Sequence, residues 1–343
     1  MLSHDLLGKY RVLHVDGCRL WVGDGNRLCY SDDNGSTFHA RAAYAAAFPR
    51  RHLAGFSVAE RLMRGGFLSL LPLKDGSMVA GVKGRIIHCE RDSDRFVPVL
   101  SARGRTFKLC ATPGDVIYAG EYFLNNRRRE VRVFRSIDLG RTWEVAHRFA
   151  PGIIRHIHSV VYDPYRKCLL VMTGDLDHES KVWTTSDGFR SLDVIAEGDQ
   201  HSRAVSAIPV PEGYYLATDT PYQQNYVQLL SVNGGLSRLC PIAGSCLSAC
   251  RVGDWCFFGT AVEPSSVNLD PTAVLYATRS GREWQVVSRW RVDRWSGAGR
   301  YGAALFQMAR ILLPSGENQT GCLFATPVAT RGSHGILHRW RME

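Results

Sequence analysis

Two eight-residue segments of this chain are copies of one pattern. Ser31-Asp32-Asp33-Asn34-Gly35-Ser36-Thr37-Phe38 and Ser136-Ile137-Asp138-Leu139-Gly140-Arg141-Thr142-Trp143 both read S-x-D-x-G-x-T-aromatic. The residue types suit a tight hairpin. An Asp carboxylate bonds nearby backbone N–H groups, the Gly takes a positive-φ turn position, and the hydroxyls close the loop. The aromatic then begins the next strand and packs inward.

Degenerate copies set a period. Thr185-Ser186-Asp187-Gly188 reads as a shortened box. Ser231-Val232-Asn233-Gly234-Gly235-Leu236-Ser237 has Asn for Asp. Thr278-Arg279-Ser280-Gly281-Arg282-Glu283-Trp284 keeps the start, the Gly and the aromatic. The starts at 136, 185, 231 and 278 lie 46 to 49 residues apart, and the interval from 31 to 136 has room for two units, with a worn turn near Glu90–Asp94. A last unit begins near Ala303, which makes seven. Repeats of this length denote one supersecondary unit used many times. The box resembles the Asp box (BNR repeat) of sialidase-like β-propellers. The resemblance implies an all-β, seven-bladed propeller of four-stranded antiparallel blades, with six blades as the alternative. One domain is expected over 1–343, with an inserted loop or helix at about 42–65 carrying Arg50, Arg51, Arg61 and Arg64. The chain lacks the Phe-Arg-Ile-Pro stretch of true sialidases, so hydrolysis of sialic acid is not expected.

Composition narrows the function classes. Charged residues at 22% and hydrophobic residues at 45% are ordinary for a globular protein. No apolar run reaches the length of a membrane span, and the start Met1-Leu2-Ser3-His4-Asp5 has no basic and apolar leader. A cytoplasmic monomer without a membrane partner is expected. Cys18, Cys29, Cys89, Cys110, Cys168, Cys240, Cys250, Cys256 and Cys322 sit in strand-like runs and read as buried free thiols. The net charge is +10, and only six of the 42 basic residues are lysines. A genome that writes Arg for Lys explains this blandly. The sharper reading is an anionic ligand, since Arg grips carboxylate and sulfate in a bidentate manner. Nucleic acid is not expected, because no recognition motif appears.

One unit can be read strand by strand: Ile154–Tyr162, a turn at Asp163-Pro164-Tyr165-Arg166, apolar Cys168–Thr173, a polar loop Gly174–Ser180, Lys181–Thr185 ending in a box, and Leu192–Ala196. Alternating strand directions put the boxes on one rim. The loops before first strands and after second strands fall on the other. The final unit is expected to use Leu305–Leu313, Gly321–Thr326 and Ile336–Trp340, completed by residues near Leu2–Leu7, which would protect the sheet edges.

The polar rim carries the candidate chemistry. His156 and His158 share a strand face. With Asp175, Asp219, Glu121 and Tyr222 they form the candidate catalytic set, and Arg155, Arg203, His178, His201, Tyr122, Gln224 and Asn225 the candidate substrate-binding set. Asp175, Asp177, Asp219 or Glu121 would supply a carboxylate pair for glycoside hydrolysis. Alternatively, Arg155 or Arg203 would neutralise a uronate while a histidine or Tyr222 moves protons in β-elimination. No cofactor or metal is assigned. A divalent ion at His156, His158, Asp175, His178 and His201 is the alternative to plain hydrogen bonding by these histidines. Tyr122 and Tyr222 read as sugar-stacking residues, whereas Trp143, Trp183, Tyr276 and Trp284 read as core. Arg238 falls in a box turn and is excluded. The expected function is a carbohydrate-active enzyme, a glycoside hydrolase or polysaccharide lyase, acting on an acidic oligo- or polysaccharide at the mouth of the central channel. A non-catalytic propeller that binds a glycan or protein is the alternative.

Overall fold

A computed structural model describes residues 3–45, 65–105, 108–296 and 307–342. Twenty-seven strands and two one-turn 3-10 segments, Asp177–Glu179 and Gln200–Ser202, are found among them. One strand, Met78–Cys89, is two. A Cβ placed on Gly140 would lie 2.2 Å from Val79 Cγ2 and 3.6 Å from His88 Cδ2. A straight strand would hold those two residues about 30 Å apart. The run therefore doubles back at Lys83-Gly84, where Gly84 has φ 77°. The strands then fall into seven groups of four, and the fold is a seven-bladed β-propeller.

Two compact units divide the chain. The first holds blade 1 (Arg11–Asp16, Arg19–Asp24, Arg27–Ser31, His39–Tyr44), blade 6 (Cys246–Val252, Trp255–Thr260, Thr272–Thr278, Gln285–Arg291) and blade 7 (Arg310–Leu312, Cys322–Val328, Ile336–Arg341). Blade 7 is completed by His4–Lys9, which pairs antiparallel with Ile336–Arg341. The second unit holds most of blade 2 (Ser69–Pro72, Met78–Cys89 and the greater part of Arg95–Arg105) and all of blades 3, 4 and 5. Blade 3 is Leu109–Ala111, Ile117–Gly120, Val131–Ser136 and Glu144–Phe149. Blade 4 is His156–Asp163, Cys168–Gly174, Lys181–Thr185 and Asp193–Ala196. Blade 5 is Ala204–Val210, Gly213–Thr218, Tyr226–Ser231 and Leu236–Pro241. The expected segment 46–64 and the start of the last unit at 303–306 lie outside the described residues. Residues 42–44 belong to the outer strand of blade 1, not to an insertion.

The core lies between neighbouring blades, which explains why second strands are buried on both faces. Every residue of Cys168–Gly174, Gly213–Thr218 and Cys322–Val328 is buried. Val131, Val133 and Phe149 of blade 3 pack on Ile157, Val160 and Val171 of blade 4. Leu170, Met172 and Val182 of blade 4 pack on Leu216 and Leu230 of blade 5. All ten cysteines are free thiols. Eight are buried, Cys240 is half-buried, and Cys18 is exposed, against expectation.

The box turns connect third to fourth strands. In the first, Asp33 Oδ1 accepts the Ser31 hydroxyl at 2.7 Å and the Thr37 N–H at 2.9 Å, Oδ2 accepts the Thr37 hydroxyl, and Ser31 Oγ accepts the Gly35 N–H. Ser136, Asp138, Gly140 and Thr142 repeat this bond for bond. The third copy is not shortened. Thr185, Asp187 and Ser191 make the same set, and Phe189 at φ 74° stands where the others have Gly. The aromatic positions Phe38, Trp143 and Trp284 are half-buried, so they cap blade edges and do not fill the core.

No helix among the described residues is long and apolar enough to cross a membrane.

Candidate functional site

The site grows from an irregularity in blade 4. Along its inner strand, His156 pairs with Gly174 and Ile157 with Thr173, but Ser159 pairs with Met172, so His158 is an inserted residue. Such a bulge re-aims a side chain. The inner strands of blades 1, 5 and 6 shift register at the same place, which makes the bulge a property of the repeat and His158 the particular residue that blade 4 puts there. The His158 ring needs room over the end of the second strand. A Cβ on Gly174 would sit 2.9 Å from its Cε1 and 3.4 Å from Arg203 Cγ, so glycine is required by close approach.

Asp175 follows Gly174 and is the hub. Its Oδ1 lies 3.3 Å from His158 Nε2, 3.4 Å from His156 Nε2 and 3.2 Å from Arg203 Nη2. Its Oδ2 accepts Arg155 Nη1–H at 2.7 Å. Arg203 Nη2 also reaches Asp219 Oδ2 at 3.4 Å, and its Nη1 donates to the Asp175 carbonyl. Both histidines are buried, each residue 4% exposed. Their far nitrogens are fixed: His156 Nδ1 lies 3.2 Å from the Phe123 carbonyl, and His158 Nδ1 lies 2.9 Å from the Ala204 carbonyl. A carbonyl only accepts, so both Nδ1 atoms carry hydrogen. Tyr122 packs on His156 with ring centroids 4.1 Å apart.

The electrostatics follow from burial and these partners. Burial alone would raise the Asp175 pKa. Hydrogen bonds from His156 and His158, with the charges of His158 and Arg203, outweigh it and hold the carboxyl far below the usual range. His156 is shifted down, chiefly by burial, which the Asp175 bond only partly offsets.

The structure thus brings together His156, His158, Asp175, Arg155, Arg203, Asp219 and Tyr122. It separates the other expected residues from them. Glu121 is 2% exposed and held by Nε and Nη2 of Arg103, at 2.9 and 2.5 Å, and by the Arg132 N–H. Its neighbour Tyr122 takes the site side because adjacent strand residues face opposite ways. Tyr222 is 61% exposed and lines an open cleft of about 350 Å³ with His178, Asp177 and Gln200. Asn225 is buried and clamps its own loop through Thr218 and Thr220, and Gln224 bonds the Ile242 carbonyl. His201 lies in another cleft of about 470 Å³, bonded to Asp199 and to Arg238 at 2.8 Å. Arg238 is in the outer strand of blade 5, not in a turn, and belongs beside His201.

Three supporting residues escaped the sequence reading. Glu179 pairs with Arg128 and accepts the Asp175 and Leu176 N–H groups, which fixes the loop that carries the hub. Asn126 accepts Arg155 Nη2–H at 2.8 Å. Gln200 donates to the Asp175 carbonyl and to Asp177. Gln200 is the nearest to legible, since it adjoins His201-Ser202-Arg203. Gln200 Oε1 and Arg155 Nε are buried without a hydrogen-bond partner among the described residues.

No protein-family model and no curated protein matches the sequence. Solved structures do match in fold, and they are β-propellers of diverse use. An oligogalacturonate lyase in complex with manganese aligns at TM-score 0.60 and 12% identity, over 100% of this chain and 96% of that one. The WD40 propeller domain of Doa1 aligns at 0.57 and 9% identity, over 99% and 94%. YCF48 bound to D1 peptide aligns at 0.57 and 13% identity, over 100% and 97%. At such identities the likeness is one of fold, and propellers serve both catalysis and binding.

Proposed function

We propose that this chain is a single-domain Asp-box propeller that acts as an enzyme on an acidic glycan, by β-elimination at the Asp175 cluster. The observation that carries the reading is the convergence of two guanidinium groups and two imidazoles on one largely buried carboxylate. Elimination needs a cation for the uronate carboxylate, a base that removes the proton α to it, and an acid that protonates the departing glycosidic oxygen as the C–O bond breaks and the C=C bond forms. Arg155 and Arg203 suit the first task. His156 and His158 suit proton movement, and Tyr122 offers a sugar-facing ring and a hydroxyl. Hydrolysis fits less well, because it requires one carboxyl to be protonated. Asp175 is held ionised by its partners, and Glu121 and Asp219 both face arginines. The unpartnered atoms of Gln200 and Arg155 beside the hub support a ligand there.

The test is incubation with a panel of acidic polysaccharides, reading new reducing ends together with ultraviolet absorbance of unsaturated ends. The expected result is both signals from a uronate polymer. Reducing ends without absorbance would replace elimination by hydrolysis. Silence across the panel, with measurable affinity for a peptide, would support the second reading, a partner-binding propeller. That reading is favoured by the two open clefts lined by His178, Tyr222, His201 and Arg238.

A further inference from the structure

His156 Nε2 and His158 Nε2 face each other at 3.1 Å, and Asp175 Oδ1 closes the triangle at 3.4 and 3.3 Å. Because each Nδ1 spends its hydrogen on a carbonyl, each neutral ring presents a lone pair at Nε2. With both rings neutral, two nitrogen lone pairs and Asp175 Oδ1 therefore converge, Arg203 Nη2 reaching only the oxygen, and both histidines are buried. A cation between the two nitrogens, either a shared proton or a metal ion, satisfies both lone pairs at once.

The spacing also suits a metal ion. Ligands about 2.0–2.2 Å from a tetrahedral or octahedral ion lie about 2.8–3.6 Å from one another. All three separations fall in that range, and the three atoms group as one potential ligand set. The outer contacts are those a metal centre uses: each imidazole is fixed through Nδ1 to a carbonyl, and the carboxylate is held by Arg155 and Arg203. We propose that His156, His158 and Asp175 bind one divalent first-row transition metal ion through Nε2, Nε2 and Oδ1, with its remaining positions open to water or ligand oxygen. Two imidazoles and one carboxylate suit ions such as zinc, manganese or cobalt.

The charge count gives the ion a consequence. Arg155 and Arg203 balance Asp175 and Asp219, so a divalent ion leaves the pocket two charges positive. Such a pocket draws an anionic group to the open positions, which would add to the arginines in gripping a uronate carboxylate. That role rests on the glycan reading, and with both Nε2 atoms on the ion the proton transfers would pass from the histidines to Tyr122 or to water on the ion; ion binding itself does not rest on that reading.

The experiment is calorimetric titration of the chelator-treated full chain with zinc, manganese and cobalt ions separately, without any sugar. One ion per chain should bind for at least one metal. His158→Ala should weaken it by more than the roughly 10–100-fold that loss of an outer partner costs, while His178→Ala and His201→Ala leave it unchanged. X-ray absorption of the loaded wild-type protein should count two imidazole nitrogens, which keeps the test open if His158→Ala does not fold. No binding of any of the three ions, equal binding by folded His158→Ala, or a shell without imidazole would overturn the proposal. Binding without lyase activity would leave the metal site standing and remove the glycan reading.

Discussion

At the residue scale, the chain encodes its turns more openly than its site. The box is a local code: donor and acceptor lie within six residues, so sequence order sets the geometry. Even so, the third box hides its identity, because Phe189 occupies a positive-φ position usually given to Gly and packs against Tyr118 and His147. Leu139 is in the same left-handed region at φ 61°, which costs an ordinary L-residue about 1–2 kcal/mol. Leu139→Asn should therefore raise stability in urea unfolding by about 1 kcal/mol, and a loss would show that Leu139 makes offsetting contacts. The Asp187 carboxyl is lowered to about 2 by the Ser191 N–H, the Ser191 hydroxyl and Thr185. Its folded pKa lies below its unfolded value, so the box's contribution is full above about 4 and fades as pH falls toward about 2. Asp187→Asn should flatten acid unfolding in that window. An unchanged profile would mean the bonds do not persist in solution. Within the hub, Arg203→Ala removes the ion-pair partner of buried Asp219 and one of the partners of Asp175, and should cost about 3 kcal/mol. Arg203→Lys, which keeps the charge, is the variant whose activity is interpretable.

At the scale of elements, the strand order and the strands of blade 4 were legible almost residue for residue. Apolar runs, an Asp-Pro turn and a box fix them without help from distant sequence. The bulge at His158 was not legible, because it depends on pairing with Cys168–Gly174. The same is true of Glu121 and Tyr222. Both stand in polar loops, yet one faces Arg103 and the other turns to solvent, and only three-dimensional placement separates them. Trp143 reads as core by type but is half-buried, with its indole N–H on the Gly140 carbonyl. Trp143→Ala should cost about 2 kcal/mol, less than the 3–5 typical of full burial. The closing strand pair carries a pH dependence. His338 is lowered to about 4, first by burial and then by His4, which stacks on it. A buried neutral histidine resists protonation, so stability is full above about 6.5 and declines as pH falls from there to about 4. His338 Nε2 is buried without a hydrogen-bond partner among the described residues. His338→Phe should keep the stacking and abolish this part of the acid sensitivity in thermal melts across that range. A variant with the wild-type pH slope would place the effect elsewhere.

At the scale of the molecule, a repeated scaffold places different residues at equivalent positions, and blade 4 alone combines the bulged histidine with Gly174 and Asp175. The box turns are structural, and the chemistry is gathered between the inner strands of blades 3, 4 and 5 within one compact unit. The central claim is that ligand meets the protein at the Asp175 hub. Hydrogen–deuterium exchange of the intact chain with and without an acidic oligosaccharide tests this directly, since it needs no turnover. The account predicts slowed exchange concentrated at residues 155–158, 174–179 and 200–204. Protection confined to the cleft at Asp199 and Arg238, to the Tyr222 loop, or to the box turns would contradict it.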